Sequence, residues 1–238
     1  KNKDFVIGAI LTGSFVTGNN TENSDIDIHI VLSDEIKWRE RGNNYINGFL
    51  IEYFANPIVQ LKKYMEEDYN QGIRTDANMF ATGKILFDKN DVLIKLKELA
   101  QSYINKPFEH VNHISIELMK YRLFDEFENI KDNYETESFS YYYYIFLEML
   151  LMTYKKYLGA ELPSNSKIYK FFTSEIFRTR YNLKPFPDQE FVKSYLEGIK
   201  ISDKSEQYAL LEKLTKYTLE KMGGFNIDGW KINTPVEE

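Results

Sequence analysis

The stretch that most constrains this chain is residues 11–32, LTGSFVTGNNTENSDIDIHIVL. A short apolar run over residues 5–11 leads into Gly13-Ser14, a polar loop of ten residues (15–24) follows, and Asp25-Ile26-Asp27 opens a second apolar run. Strand side chains alternate faces, so Asp25 and Asp27 point the same way while Ile26, Ile28 and Ile30 are expected to face a core. Carboxylates held side by side raise each other's pKa unless a cation neutralises them. A divalent metal site is the simplest resolution. Gly13 lets the backbone approach a ligand closely, and Ser14 offers a hydroxyl and an amide donor. Such a turn can cradle phosphate oxygens while the aspartates hold a metal that bridges them. The pieces point to nucleoside triphosphate chemistry.

In this arrangement Gly13, Ser14, Gly18, Ser24, Asp25 and Asp27 resemble the signature of the DNA polymerase beta-like nucleotidyltransferases. The likeness is to their small bacterial branch, which includes the aminoglycoside and lincosamide nucleotidyltransferases, and it covers roughly the first 90 residues. Phe15 and Thr17 depart from it, standing where minimal members often carry arginines. The resemblance implies an α+β fold, with a small mixed-sheet nucleotidyltransferase domain over residues 1–88. A helical-bundle domain with a C-terminal tail is expected over 89–238. It also implies a third carboxylate on the strand after the aspartate pair. Glu52 answers that, sharing a strand face with Leu50 and Phe54, where an unpaired carboxylate is costly to bury. The alternatives for Glu52 are an edge strand on which it faces water, or a lysine partner. By the resemblance, Asp25, Asp27 and Glu52 are the catalytic carboxylates and the ligands of two Mg²⁺ ions, and Gly13 and Ser14 hold ATP.

Along the chain, residues 5–11, 25–32, 45–55 and 83–88 read as strands. Ser33-Asp34 reads as the cap of a short helix reaching about residue 41. Helical spacing follows over 58–69, after Pro57, then within 71–82 and over 90–105. Beyond Pro107 the pattern is helical: 108–132, 138–158 capped by Ser138 and stopped by Gly159, 189–199 capped by Asp188, and a last helix capped by Ser202. The segment of 138–158 is apolar nearly all round and should be central to the second domain. Its four consecutive tyrosines, Tyr141 to Tyr144, face different ways and read as packing residues. Its one acid, Glu148, is a candidate general base for the acceptor hydroxyl. Lys155, Lys156 and Lys167 are candidate phosphate ligands. His29 falls on the aspartate face and reads as a satisfied wall residue.

The net charge of −6 weighs against a protein whose main task is gripping a nucleic-acid backbone. With no cysteine, no apolar run long enough to span a bilayer and no apolar leader, neither a membrane partner nor secretion is expected, and a cytoplasmic location is the default. The function expected is transfer of AMP from Mg-ATP to a hydroxyl of a small molecule, with a homodimer compatible with it. The alternative is a protein- or RNA-modifying AMPylating enzyme of a toxin-antitoxin system. Against a ribonuclease partner domain, His110 and His113 follow no suitably spaced arginine.

Overall fold

The computed structural model describes residues 3–236. The chain forms two compact units. One runs through Phe108 and takes back Glu161–Pro185; the other comprises Glu109–Ala160 and the chain from Phe186 onward. The expected boundary at residue 88 therefore falls inside the first unit. Arg74 is one tie that holds the returning segment there: it donates to Glu161 at 3.0 Å and to the carbonyl of Tyr103, and lies 3.7 Å over the Phe108 ring.

Among the described residues, five strands make one mixed sheet in the order β3-β4-β2-β1-β5: β1 (Val6–Thr12), β2 (Ile26–Leu32), β3 (Glu40–Ile46), β4 (Phe49–Pro57) and β5 (Lys84–Asp88). β2 and β4 run parallel, and the other neighbours are antiparallel. The helix expected from Ser33-Asp34 does not form. Residues 40–57 are instead a hairpin turning at Asn47-Gly48, both at positive φ (50° and 84°). That dipeptide matches the right-handed twist of the flanking strands, and a single strand over 45–55 overlooks it.

Helices α2 (Ile58–Asn70), α3 (Thr75–Thr82) and α4 (Val92–Asn105) cover one face of the sheet. Leu61, Met65, Ala77, Phe80, Leu93 and Leu96 pack there with Ile10 and Val31. Val31 shares its face with Asp27, and Ile10 pairs with His29. The core thus lies on the acid-bearing face, not on that of Ile26, Ile28 and Ile30, which are only half-buried. The alternation holds, but one strand face changes character along its length: Asp27 opens onto clefts at one end while Val31 is sealed at the other. Lys97 closes the C-terminal end of α3 by donating to the carbonyls of Phe80, Ala81 and Gly83.

Further helices are α5 (His113–Asp132), α6 (Phe139–Leu158), α7 (Ile168–Thr173), α8 (Glu175–Arg180), α9 (Gln189–Gly198) and α10 (Lys204–Lys221), of which α7 and α8 lie in the returning segment. In the second unit α6 is buried along much of its length, and Gly159 ends it in the left-handed conformation, as expected. Ser138 makes no side-chain cap, and α10 is capped by Asp203 rather than Ser202, because the Asp203 carboxylate meets the amides of Ser205 and Glu206. Asp188 caps α9 as expected. Trp230 stacks on Tyr121 at 4.5 Å, docking the tail. Among the described residues no helix is long and apolar enough to cross a membrane.

Candidate active site

β1 ends at Thr12, and the chain turns at Gly13 into a one-turn helix, α1 (Gly13–Thr17), within the stretch read as loop. Gly13 sits at φ 72°, and a Cβ there would lie 2.1 Å from Asp27 Oδ2. Only glycine allows the turn to press against that carboxylate. The Thr17 hydroxyl reaches back to the carbonyls of Gly13 and Ser14 at 3.2 and 3.3 Å, bracing the turn. Ser14 is therefore set by local chain geometry.

Asp25 precedes β2 and Asp27 stands second in it, opposite Thr12 of β1 and Glu52 of β4. Each of Asp25, Asp27 and Glu52 offers a carboxylate oxygen, and the three lie within 4.8 Å of one another. Burial pushes the Asp27 carboxyl up to about 6, with the charges of Asp25 and Glu52 adding to the rise and those of Lys167 and Arg41 opposing it. Three half-buried carboxylates at that separation form a hard-oxygen donor set suited to Mg²⁺ or Mn²⁺. The close seat of Asp27 under Gly13 fixes one of them in place. The residues fit a divalent metal centre.

Gly13, Ser14, Asp25 and Asp27 line a cleft of about 460 Å³ within the first unit. Thr75, Asn78 and Met79 of α3 form part of its wall, and residues 161–185 supply Lys167, Lys170, Phe177 and Tyr181. Lys167 also lies 4.9 Å over the Tyr181 ring. Arg180 donates to the carbonyl of Gly18, tying this segment to the end of the turn. Of the three lysines anticipated, Lys167 lines the cleft; Lys155 and Lys156 belong to α6 of the second unit, as does Glu148. Lys170 and Tyr181 carry no local sequence signal, since their place depends on a return of the chain after more than 50 residues in another unit.

Asp27 and Met79 also border a second cleft of about 520 Å³, lined by His29, Arg39, Arg41, Phe54, Tyr64 and Asp76 among others. His29 is 5% exposed, stacks on Phe54 at 5.0 Å, and neither ring nitrogen has a partner. It is a wall residue, but not a satisfied one. Burial takes its pKa down to about 4, so the ring is neutral. Burial, reinforced by Asp68, lifts Asp76 to about 7. Glu52 is paired, though with an arginine: Arg41 Nε and Nη2 donate to its Oε1 at 2.8 and 2.5 Å.

A family model described as a nucleotidyltransferase domain matches residues 1–156 of the 238. The chain belongs to the nucleotidyltransferase family. Within solved structures it is similar to a nucleotidyltransferase-like protein from Exiguobacterium sibiricum 255-15, at 12% identity over 91% of this chain and 69% of that one, with a TM-score of 0.47. That likeness is too remote to bear on the chemistry. No curated protein matches the chain. As a member of the family this nucleotidyltransferase acts on a nucleoside triphosphate, and the motif that suggested it, from Gly13 to Asp27, lies inside the matched region.

Proposed function

We propose that this nucleotidyltransferase moves AMP from Mg-ATP to a hydroxyl of a small molecule, of which aminoglycosides and lincosamides are the first to try. The single observation that carries the reading is the approach of Asp25, Asp27 and Glu52 to within 4.8 Å beside the Gly13-Ser14 turn. Asp25 and Asp27 would hold two divalent cations between them, and Glu52 would complete the site on the acceptor side. When bound, such cations polarise the α-phosphate, activate the acceptor hydroxyl and neutralise the leaving pyrophosphate.

The protein's own share is chiefly positioning and charge. The Gly13 amide and the Ser14 amide and hydroxyl take the β- and γ-phosphate oxygens. Lys167 and Lys170, on the same cleft wall, supply positive charge in place of the arginines absent at Phe15 and Thr17. Tyr181, Phe177 and Met79 give the nucleobase an apolar surface. Asp27 borders both clefts, so an acceptor in the second cleft has its hydroxyl beside the nucleotide in the first. The acceptor oxygen bonds to the α-phosphorus as the bond to pyrophosphate breaks, and the hydroxyl proton leaves to solvent.

The test is incubation with α-labelled ATP and Mg²⁺ against a panel of aminoglycosides and lincosamides. The expected product is a labelled adduct with one of them and a matching release of pyrophosphate. No adduct with any, while ATP still binds, removes this acceptor class.

A further inference from the structure

Arg41 stands on the edge strand β3, directly opposite Phe54 in the antiparallel register, while Asn43 stands opposite Glu52. Its side chain lies along the acid-bearing face, with the guanidinium 4.9 Å from the Phe54 ring. Both of its hydrogen bonds to Glu52 fall on one oxygen, Oε1, at 2.8 and 2.5 Å. The Glu52 side chain is 13% exposed whereas that of Arg41 is 67% exposed, so the carboxylate is fixed and its partner is free to leave. Arg41 and Phe54 also line the second cleft, where Arg39 is held apart by its bond to the Tyr64 hydroxyl.

The two guanidinium donors engage the lone pairs of Oε1 and leave Oε2 open, but a cation approaching the triad meets a like charge a few ångströms away. Arg41 and a divalent ion therefore compete for Glu52. We propose that Arg41 is an exchangeable counter-cation: it holds Glu52 until a divalent ion takes that carboxylate, and then swings along the Phe54 ring, away from Glu52 and deeper into the second cleft it already lines. This rests on the metal-binding reading of Asp25, Asp27 and Glu52. Its consequence is a metal centre whose affinity is set below that of the bare carboxylates, with a mobile positive charge delivered to the neighbouring cleft each time it fills.

The experiment titrates the full chain with Mn²⁺ and reads the free ion by electron paramagnetic resonance. Arg41→Met, at an exposed side chain, is expected to bind Mn²⁺ about two- to fivefold more tightly than the parent, the upper part of the range an exposed ion pair converts to. Arg39→Met removes an equal charge not bonded to Glu52 and is expected to change the affinity by less than about twofold. With Glu52→Gln already present, adding Arg41→Met should likewise do little. Unchanged or weaker binding in Arg41→Met, or equal tightening in Arg39→Met, overturns the exchange. Failure of the underlying reading looks different: the parent then binds no Mn²⁺, or Asp27→Asn binds it as well as the parent. As a second readout, the Nε–H signal of Arg41 should shift on addition of Mg²⁺; a signal that stays put contradicts its release.

Discussion

Two aspartates, one in each unit, show what separates a carboxylate built for structure from one kept for a ligand. Asp188 caps α9 and accepts from the amides of Glu190 and Phe191 and from the hydroxyls of Tyr154 and Tyr217. Burial alone would raise its pKa, but the Phe191 amide and the two tyrosines outweigh that, and the net shift is downward. Asp27, also half-buried, has the Asp25 and Glu52 carboxylates for neighbours, and burial with those charges carries it up to about 6. Donors saturate the first; only the charges of Lys167 and Arg41 temper the second. A carboxylate so poor in donors is one that a divalent cation would stabilise, as the proposed function requires.

The comparison can be broken by substitutions at each site. The largest effect belongs to Asp27→Asn, which keeps the volume and removes a ligand: transfer of labelled AMP should fall at least about 1,000-fold, near 4 kcal/mol of barrier, with the circular dichroism spectrum unchanged. Full activity would end the assignment. Next is Asp188→Ala, which strips α9 of its cap and leaves two tyrosine hydroxyls without their acceptor; a loss of about 3 kcal/mol is expected in denaturant unfolding. A loss of only a few tenths would mean that solvent replaces those bonds.

The third prediction has the opposite sign. A carboxyl raised from 3.8 to about 6 binds its proton more tightly folded than unfolded, so the stability linked to it is fullest below pH 3.8 and is lost as pH rises through 6. In chelator at pH 7.5, Asp27→Asn should therefore be more stable than the parent, by about 1 kcal/mol after solvent screening is allowed for, and the gap should close towards pH 4. A destabilised variant at pH 7.5 would show that Asp27 has partners that outweigh its acidic neighbours. The smallest effect is that of Tyr217→Phe, expected to cost about 1 kcal/mol or less, since Asp188 keeps three of its four donors.

Much of the site was legible because its parts lie close together in sequence. Gly13, Ser14, Asp25 and Asp27 fall within one strand-turn-strand stretch, and period-2 alternation puts Glu52 on the face of Leu50 and Phe54. Asn47-Gly48 announces the β3–β4 hairpin that a single strand over 45–55 overlooks, and Arg41 goes with it, since alternation with Asn43 on β3 puts it on Glu52's side. The side of the sheet that holds the core is not legible for another reason: hydrophobic alternation names two faces but does not say where helices will land, and Ile26, Ile28 and Ile30 are as apolar as a core requires.

By itself the sequence determined the strand-turn-strand motif, the three acids and the α+β class, because backbone geometry turns fixed spacings and alternation into fixed directions. Only the tertiary structure decided that residues 161–185 rejoin the first unit, that Lys167 rather than Lys155 borders the cleft beside Gly13 and Ser14, and that Arg41 is the ion already seated on Glu52. Those pairings join residues brought together by packing and strand register, and no local pattern encodes where a distant segment of chain will return.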